Sequence, residues 1–183
     1  MSSSYKFDDP DGYYFITHTV INWVDVFTRK EYKQILLDSW KHCQQTKGLQ
    51  IHAWVIMTNH IHMIISRNGE TKLEDIMRDM KKYTSSQIVA AIMYNEQESR
   101  REWMLNIFSE AGKVNSNNKN YQFWKQDNHP MLLATDKFIA QKLSYIHENP
   151  IRAGFVQEAS HWQYSSAIDY DRNKKGLVDI VII

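Results

Sequence analysis

Two hydrophobic periods divide this chain, and the switches between them mark its elements. Tyr13 to Val20 is a run of aromatic and β-branched residues, as a half-buried strand requires. From Tyr32 the period lengthens. Tyr32, Ile35, Leu36, Trp40 and Cys43 recur every three or four residues and predict an amphipathic helix. Thr28-Arg29-Lys30-Glu31 has the form of a capping box at its start, and Gly48 stands where a helix-ending residue belongs. Leu49 to Met57 and His60 to Ser66 predict a hairpin about a tight Thr58-Asn59 turn, in which Asn59 tolerates positive φ. Leu73, Ile76, Met77, Met80, Ile88, Ala91 and Ile92 trace a long second helix, and Trp103, Met104, Ile107 and Phe108 a shorter one ending at Gly112. A polar tract from Val114 to Asn120 predicts a surface loop. Tyr121 to Leu133 predicts a fourth strand, with Pro130 restricting its middle to an edge or a bulge. Thr135 caps a last main helix that turns Phe138, Ile139, Leu143 and Ile146 inward. The tail from Leu177 to Ile183 adds a short strand or packs on the domain.

The resulting order predicts an α+β fold, a ferredoxin-like antiparallel sheet (βαββαβ) with helices on one face, followed by a C-terminal helix. The other face is left open for a ligand. At 183 residues with 43% hydrophobic and 13% aromatic content, the chain suits a single domain over 1–183, with its core at about 13–170. Cys43 is the only cysteine, which excludes an intrachain disulfide. With no signal-like N-terminus and no stretch near the ~20 apolar residues of a membrane span, a soluble cytoplasmic protein is expected. Twenty-two Lys and Arg against 21 Asp and Glu give a net charge of +1, so any basic surface must be local. The six glycines form no phosphate-binding or dinucleotide-binding loop.

The chemistry-bearing positions fall on predicted elements. In Asn59-His60-Ile61-His62-Met63, strand alternation sends both imidazoles to one face, opposite Ile61, Met63 and Ile65. Tyr145 and Asn149, four apart on the last helix, lie about 40° apart around its axis. Lys142 shares that border, whereas His147 points away and is excluded from the site. Pro150 predicts fraying of the helix at Asn149. Two imidazoles and an amide oxygen leave open positions on a divalent metal that can take the oxygens of a phosphodiester. A phenol becomes a nucleophile there if a cation, the metal or Lys142, assists its ionisation. Attack exchanges one phosphoester for another, so no nucleotide cofactor is needed.

With these residues in view, the chain resembles the single-tyrosine HUH transposases, of both the insertion-sequence and REP-associated types. The likeness rests on His60-Ile61-His62 and on Tyr145-Ile146-His147-Glu148-Asn149-Pro150-Ile151-Arg152-Ala153-Gly154-Phe155-Val156. Ala53 to Met57, Met80-Lys81-Lys82-Tyr83-Thr84 and Trp162-Gln163-Tyr164-Ser165-Ser166 extend it. The resemblance implies cleavage of single-stranded or hairpin-containing DNA and strand transfer, with Tyr145 forming a 5′-phosphotyrosine. It implies His60, His62 and Asn149 as metal ligands, Mg2+ or Mn2+ as the ion, and a monomer or a homodimer as the working unit.

Each site residue has a plainer alternative. His60 and His62 could lie on a solvated strand face, and Tyr145 could be a packing tyrosine, with Tyr83 the runner-up nucleophile. His18, His42, His52, His129 and His161 are expected on the surface or as satisfied core residues. Arg78, Lys81, Lys82 and Ser85 share one flank of the second helix, a solvated face unless DNA phosphates lie there, with Lys142 and Arg152 adding charge near the tyrosine. Trp124 and the turn at Gln126-Asp127-Asn128 are candidates for base contacts. Two rival functions remain: a ferredoxin-like nucleic-acid-binding module without cleavage, and a metal-assisted hydrolase that uses water and leaves no protein adduct.

Overall fold

The computed structural model describes residues 7–115, 120–126, 129–171 and 174–183. Its elements are β1 (Tyr14–Thr19), α1 (Lys30–Lys47), β2 (Leu49–Ile56), β3 (His60–Arg67), α2 (Leu73–Tyr94), α3 (Arg101–Lys113), β4 (Met131–Leu132) and α4 (Asp136–Arg152). The strands form an antiparallel sheet in the order β2-β3-β1-β4, within the predicted α+β class. Register follows the hydrophobic pattern. Ile61, Met63 and Ile65 face α1 and α2, joining Leu36, Trp40, Ile76, Met80 and Phe108 in the larger core.

The second face is less open than alternation alone suggests. Ile146 of α4 packs there on Phe15, Ala53, Val55 and Ile64, so only the part beyond that cluster remains accessible. Thr135 caps α4 as expected, its Oγ1 accepting from the Phe138 amide, a contact of about 1 kcal/mol. Phe138 itself lies half-exposed, because it falls on the far side of the stripe set by Ile139, Leu143 and Ile146. Nor does α4 fray at Asn149. Pro150 is buried inside the helix, which continues to Arg152, because burial of its ring offsets the one hydrogen bond it cannot donate.

Other expectations are corrected locally. The Thr28 hydroxyl donates to the Asp25 carbonyl instead of capping, and α1 starts after Arg29 without a side-chain cap. That corner is held by Glu98, whose carboxylate accepts from Arg29 at 2.6 Å and from Arg100 at 3.0 Å. Gly48 does end α1, at φ 71°, where a Cβ would collide with the Asn68 carbonyl. The fourth strand shrinks to two residues, and the segment before it touches the sheet through a single bridge from Trp124 to Val20. Trp103 is exposed, while Met104 and Phe108 alone of that predicted stripe are fully buried.

The chain after α4 straps the free edge of β2. The Ile56 amide donates to the Tyr164 carbonyl, and the Val181 amide to the Ile51 carbonyl, so the tail packs without becoming a strand. Ser166 is the hub of this strap: its hydroxyl accepts from the Trp54 amide at 2.9 Å and lies 2.9 Å from His147 Nε2 on α4. His147 thus points away from the sheet centre, as its spacing predicts, and anchors the helix.

Candidate active site

β3, α4 and the turn Ile21–Trp23 after β1 bring four rings into a row. Tyr145 lies edge-on to His62 at 5.1 Å between centroids, His62 to His60 at 4.8 Å, and His60 to Trp23 at 5.9 Å. The cross-strand partner of His62 is Thr17, whose hydroxyl sits 2.8 Å from His62 Nδ1. His62 Nε2 is buried with no hydrogen-bond partner among the described residues. An unpartnered ring nitrogen of this kind is costly in a core, and with the Thr17 hydroxyl accepting from Nδ1–H it would offer its lone pair to a metal.

The tautomer of His60 follows from its neighbour. Asn59 Nδ2 donates to the Trp23 carbonyl at 3.2 Å and to Asp25 Oδ1 at 3.0 Å, both pure acceptors, which orients the amide. Asn59 Oδ1 therefore faces His60 Nδ1 at 2.7 Å, so that nitrogen carries the hydrogen and Nε2 keeps its lone pair. Sequence reasoning saw Asn59 only as a turn residue that tolerates positive φ, a tolerance the turn does not use. An asparagine directly before a histidine pair was the available signal. Burial holds both imidazoles in their neutral form. For His62, burial, then the His60 and Lys142 charges, push the pKa down to about 3; burial alone lowers that of His60. Neutral imidazole is the form that binds a metal.

Lys142 Nζ stands 4.6 Å from the Phe15 ring centroid and 5.5 Å from that of Tyr145, and the Arg152 guanidinium lies 5.5 Å from the Tyr145 ring. Arg152 also pairs with Glu148 at 2.6 Å. Asn149 is half-buried one turn beyond Tyr145. Among the described residues no group of three His, Cys, Asp or Glu side chains could hold a metal, so a third protein ligand would have to be of another type, as the Asn149 amide is.

The other sequence-selected residues lie elsewhere. Arg78, Lys81 and Lys82 sit on α2, against the opposite face of the sheet from α4, where with Ser85, Trp124 and Gln126 they line a groove of about 890 Å³. Arg78 is engaged by Asp75 and Asp79, and Lys81 donates to the Lys125 carbonyl; burial pushes the Lys81 pKa down to about 8. Tyr83 is exposed on the same helix, away from the histidines. Trp124 is core, its Nε1 donating to Thr84 Oγ1, so it offers no face to a base; Asp127 and Asn128 lie outside the described residues. His42, His129 and His161 are exposed, and His52 is buried and satisfied by Ser66 and the Val181 carbonyl. His18 is buried beside Trp124 with neither nitrogen partnered among the described residues, so it fits neither expectation.

An antiparallel sheet that sets a histidine pair against a helix-borne tyrosine defines the class of domain to which this molecule belongs. The sequence profile of the IS200-like transposases matches residues 11–126, and the chain belongs to that family of enzymes that cleave and rejoin DNA. That match includes both histidines and ends before Tyr145. The fold is similar to that of a REP-associated tyrosine transposase bound to a REP hairpin, with 20% identity and a TM-score of 0.66, covering 100% of this chain and 95% of the other. A putative transposase from Deinococcus radiodurans R1 aligns at 15% identity and a TM-score of 0.44, over 81% of this chain and 97% of that one. No curated protein matches the sequence. No helix among the described residues is long and apolar enough to cross a membrane.

Proposed function

We propose that this chain cleaves single-stranded, hairpin-flanked DNA with the help of a divalent metal and transfers the strand through a 5′-phosphotyrosine on Tyr145. DNA transposition is the reaction of its family. The observation that carries the finer reading is the unpartnered Nε2 of His62, buried in a ring that touches the Tyr145 ring. His60, His62 and Asn149 would hold the ion, Mg2+ or Mn2+, which when bound supplies Lewis-acid stabilisation of the phosphate. The protein then positions the reactants. Tyr145 Oη forms the new bond to phosphorus as the bond to the 3′ oxygen breaks. The phenol loses a proton and the departing oxygen gains one, so neither nucleotide nor net proton is consumed. Lys142 and Arg152 place positive charge beside the attacked phosphate.

Arg78, Lys81 and Lys82 take backbone phosphates further along the DNA, in the α2 groove. The neighbour's bound REP hairpin supports DNA as the partner. Whether one copy or two engage the DNA is a matter of stoichiometry, read from the mass of the complex.

The test uses end-labelled strands that carry a hairpin and randomised flanks, incubated with the protein and Mn2+ and run on denaturing gels. A covalent protein–DNA band is expected, and Tyr145→Phe should abolish it. Cleaved DNA without an adduct would indicate the water-using hydrolase, and binding without cleavage the inert module; either rejects the proposal.

A further inference from the structure

Trp23 ends the row of rings, and nothing in the reaction as described uses it. Most tryptophans here have a structural reason to be where they are: Trp40, Trp54 and Trp124 are buried, and Trp162 is stacked on Phe155. Trp23 is 53% exposed. It is also held there against its backbone preference, since Asn22 at φ 52° and Trp23 at φ 56° are the only non-glycine residues with positive φ among those described. A bulky aromatic in the left-handed region is strained, and such strain persists only where the surroundings impose it. The restraints are visible: the Trp23 amide donates to the Val20 carbonyl at 3.0 Å, and the Trp23 carbonyl accepts from Asn59 Nδ2 at 3.2 Å. Asn59 is also the residue that sets the His60 tautomer, so the loop presenting the indole and the histidine pair share one support. Lys125 Nζ lies 4.6 Å from the indole centroid, and the edge of the indole meets His60.

An exposed indole beside the metal-ligating face, with an ammonium over its ring, has the features of a platform for a flat, electron-rich group attached to a phosphate. We propose that Trp23 is a stacking subsite for a nucleobase flanking the phosphodiester that Tyr145 attacks, with Lys125 meeting the adjoining phosphate. The inference rests on the reading of the site as one that cleaves DNA. Stacking accepts any base face, so the subsite contributes affinity and fixes the strand's path without selecting sequence.

Glycine adopts positive φ without strain, and a half-exposed indole contributes little to the core, so Trp23→Gly separates binding from folding. Binding of fluorescein-labelled oligothymidylate in Mn2+ is read by anisotropy for wild type, Trp23→Gly and Trp23→Phe, with an abasic strand of equal length as the control. Trp23→Gly is expected to melt no lower than wild type and to bind oligothymidylate roughly tenfold more weakly, with Trp23→Phe keeping most of the affinity. All three should bind the abasic strand alike. Equal binding of oligothymidylate by Trp23→Gly and wild type, or an equal loss on the abasic strand, would overturn the proposal. Because this readout needs no cleavage, absence of a Tyr145 adduct would reject the proposed function and leave this result interpretable.

Discussion

Replacing Asn59 with alanine tests how the histidine pair is prepared. The substitution removes three contacts: to the Trp23 carbonyl at 3.2 Å, to Asp25 at 3.0 Å and to His60 Nδ1 at 2.7 Å. Asp25 is exposed and can rehydrate, so the loss of folding stability should be modest, about 1 kcal/mol. The effect on the metal should be larger. His60 loses the acceptor that keeps its hydrogen on Nδ1, and removal of such partners typically costs 10- to 100-fold in affinity, or about 1.4–2.7 kcal/mol. Mn2+ titration of the DNA-free protein, followed by electron paramagnetic resonance, reads this directly, and 15N spectra of the imidazole report the tautomer. Asn59→Asp keeps an acceptor for His60 but sets two carboxylates side by side, so it should retain the metal while unfolding more easily. If Asn59→Ala binds Mn2+ as wild type does and its His60 still carries the hydrogen on Nδ1, the tautomer argument is wrong.

Further outcomes follow from other contacts. Despite the opposing cost of burial, hydrogen bonds from Arg100 and Arg29 hold the Glu98 carboxyl down at about 2. Its stabilising contribution, roughly 3 kcal/mol, is therefore present above the unfolded pKa of about 4.5 and is lost as pH falls toward 2. Urea unfolding at pH 6 and pH 3 should show much of that loss in wild type, on top of the fall that the buried neutral histidines impose on any variant, whereas Glu98→Gln should be destabilised at pH 6 and lose less than wild type between the two pH values. Lys142→Met should lower the slope of log affinity against log salt for a single strand by about 0.7, the release of one counterion, while leaving the melting temperature near that of wild type. Thr135→Ala should cost about 1 kcal/mol of stability in thermal unfolding, through loss of the cap on α4.

The hairpin, the long helices and the facing of His60 and His62 were legible because burial enforces period 2 and period 3.6 wherever one face is apolar. Ile61, Met63 and Ile65 could go to only one side, and the histidines had to take the other. The place of Tyr145 and Asn149 one turn apart on the last helix was legible from the Thr135 cap and their four-residue spacing. The course of α4 through Pro150 was not, because a local rule about proline is overridden when the ring is buried by tertiary contacts. Trp124 and Trp23 show the same limit from two sides. Composition marks each as an aromatic near a turn, yet one is core and the other is exposed in a strained loop, and only the path of the chain around Val20 decides which. Arg78, Lys81 and Lys82 shared a helix flank as expected, but which face of the sheet that helix covers is a topological fact beyond helical spacing. The placing of Asn59 before the histidine pair was a signal, but how its amide is oriented was not legible, because that depends on two partners far away in the chain, Trp23 and Asp25.

The Ser166 hydroxyl binds the backbone of the edge strand β2 and the imidazole of His147, two residues beyond Tyr145, so it acts as a rivet between the sheet and α4. Wear at that rivet would not loosen the grip on a substrate; it would misalign the blow. Substitutions at Ser166 should therefore surface as slowed turnover with undiminished affinity, a defect that maps far from the scissile bond although no damaged group ever meets it.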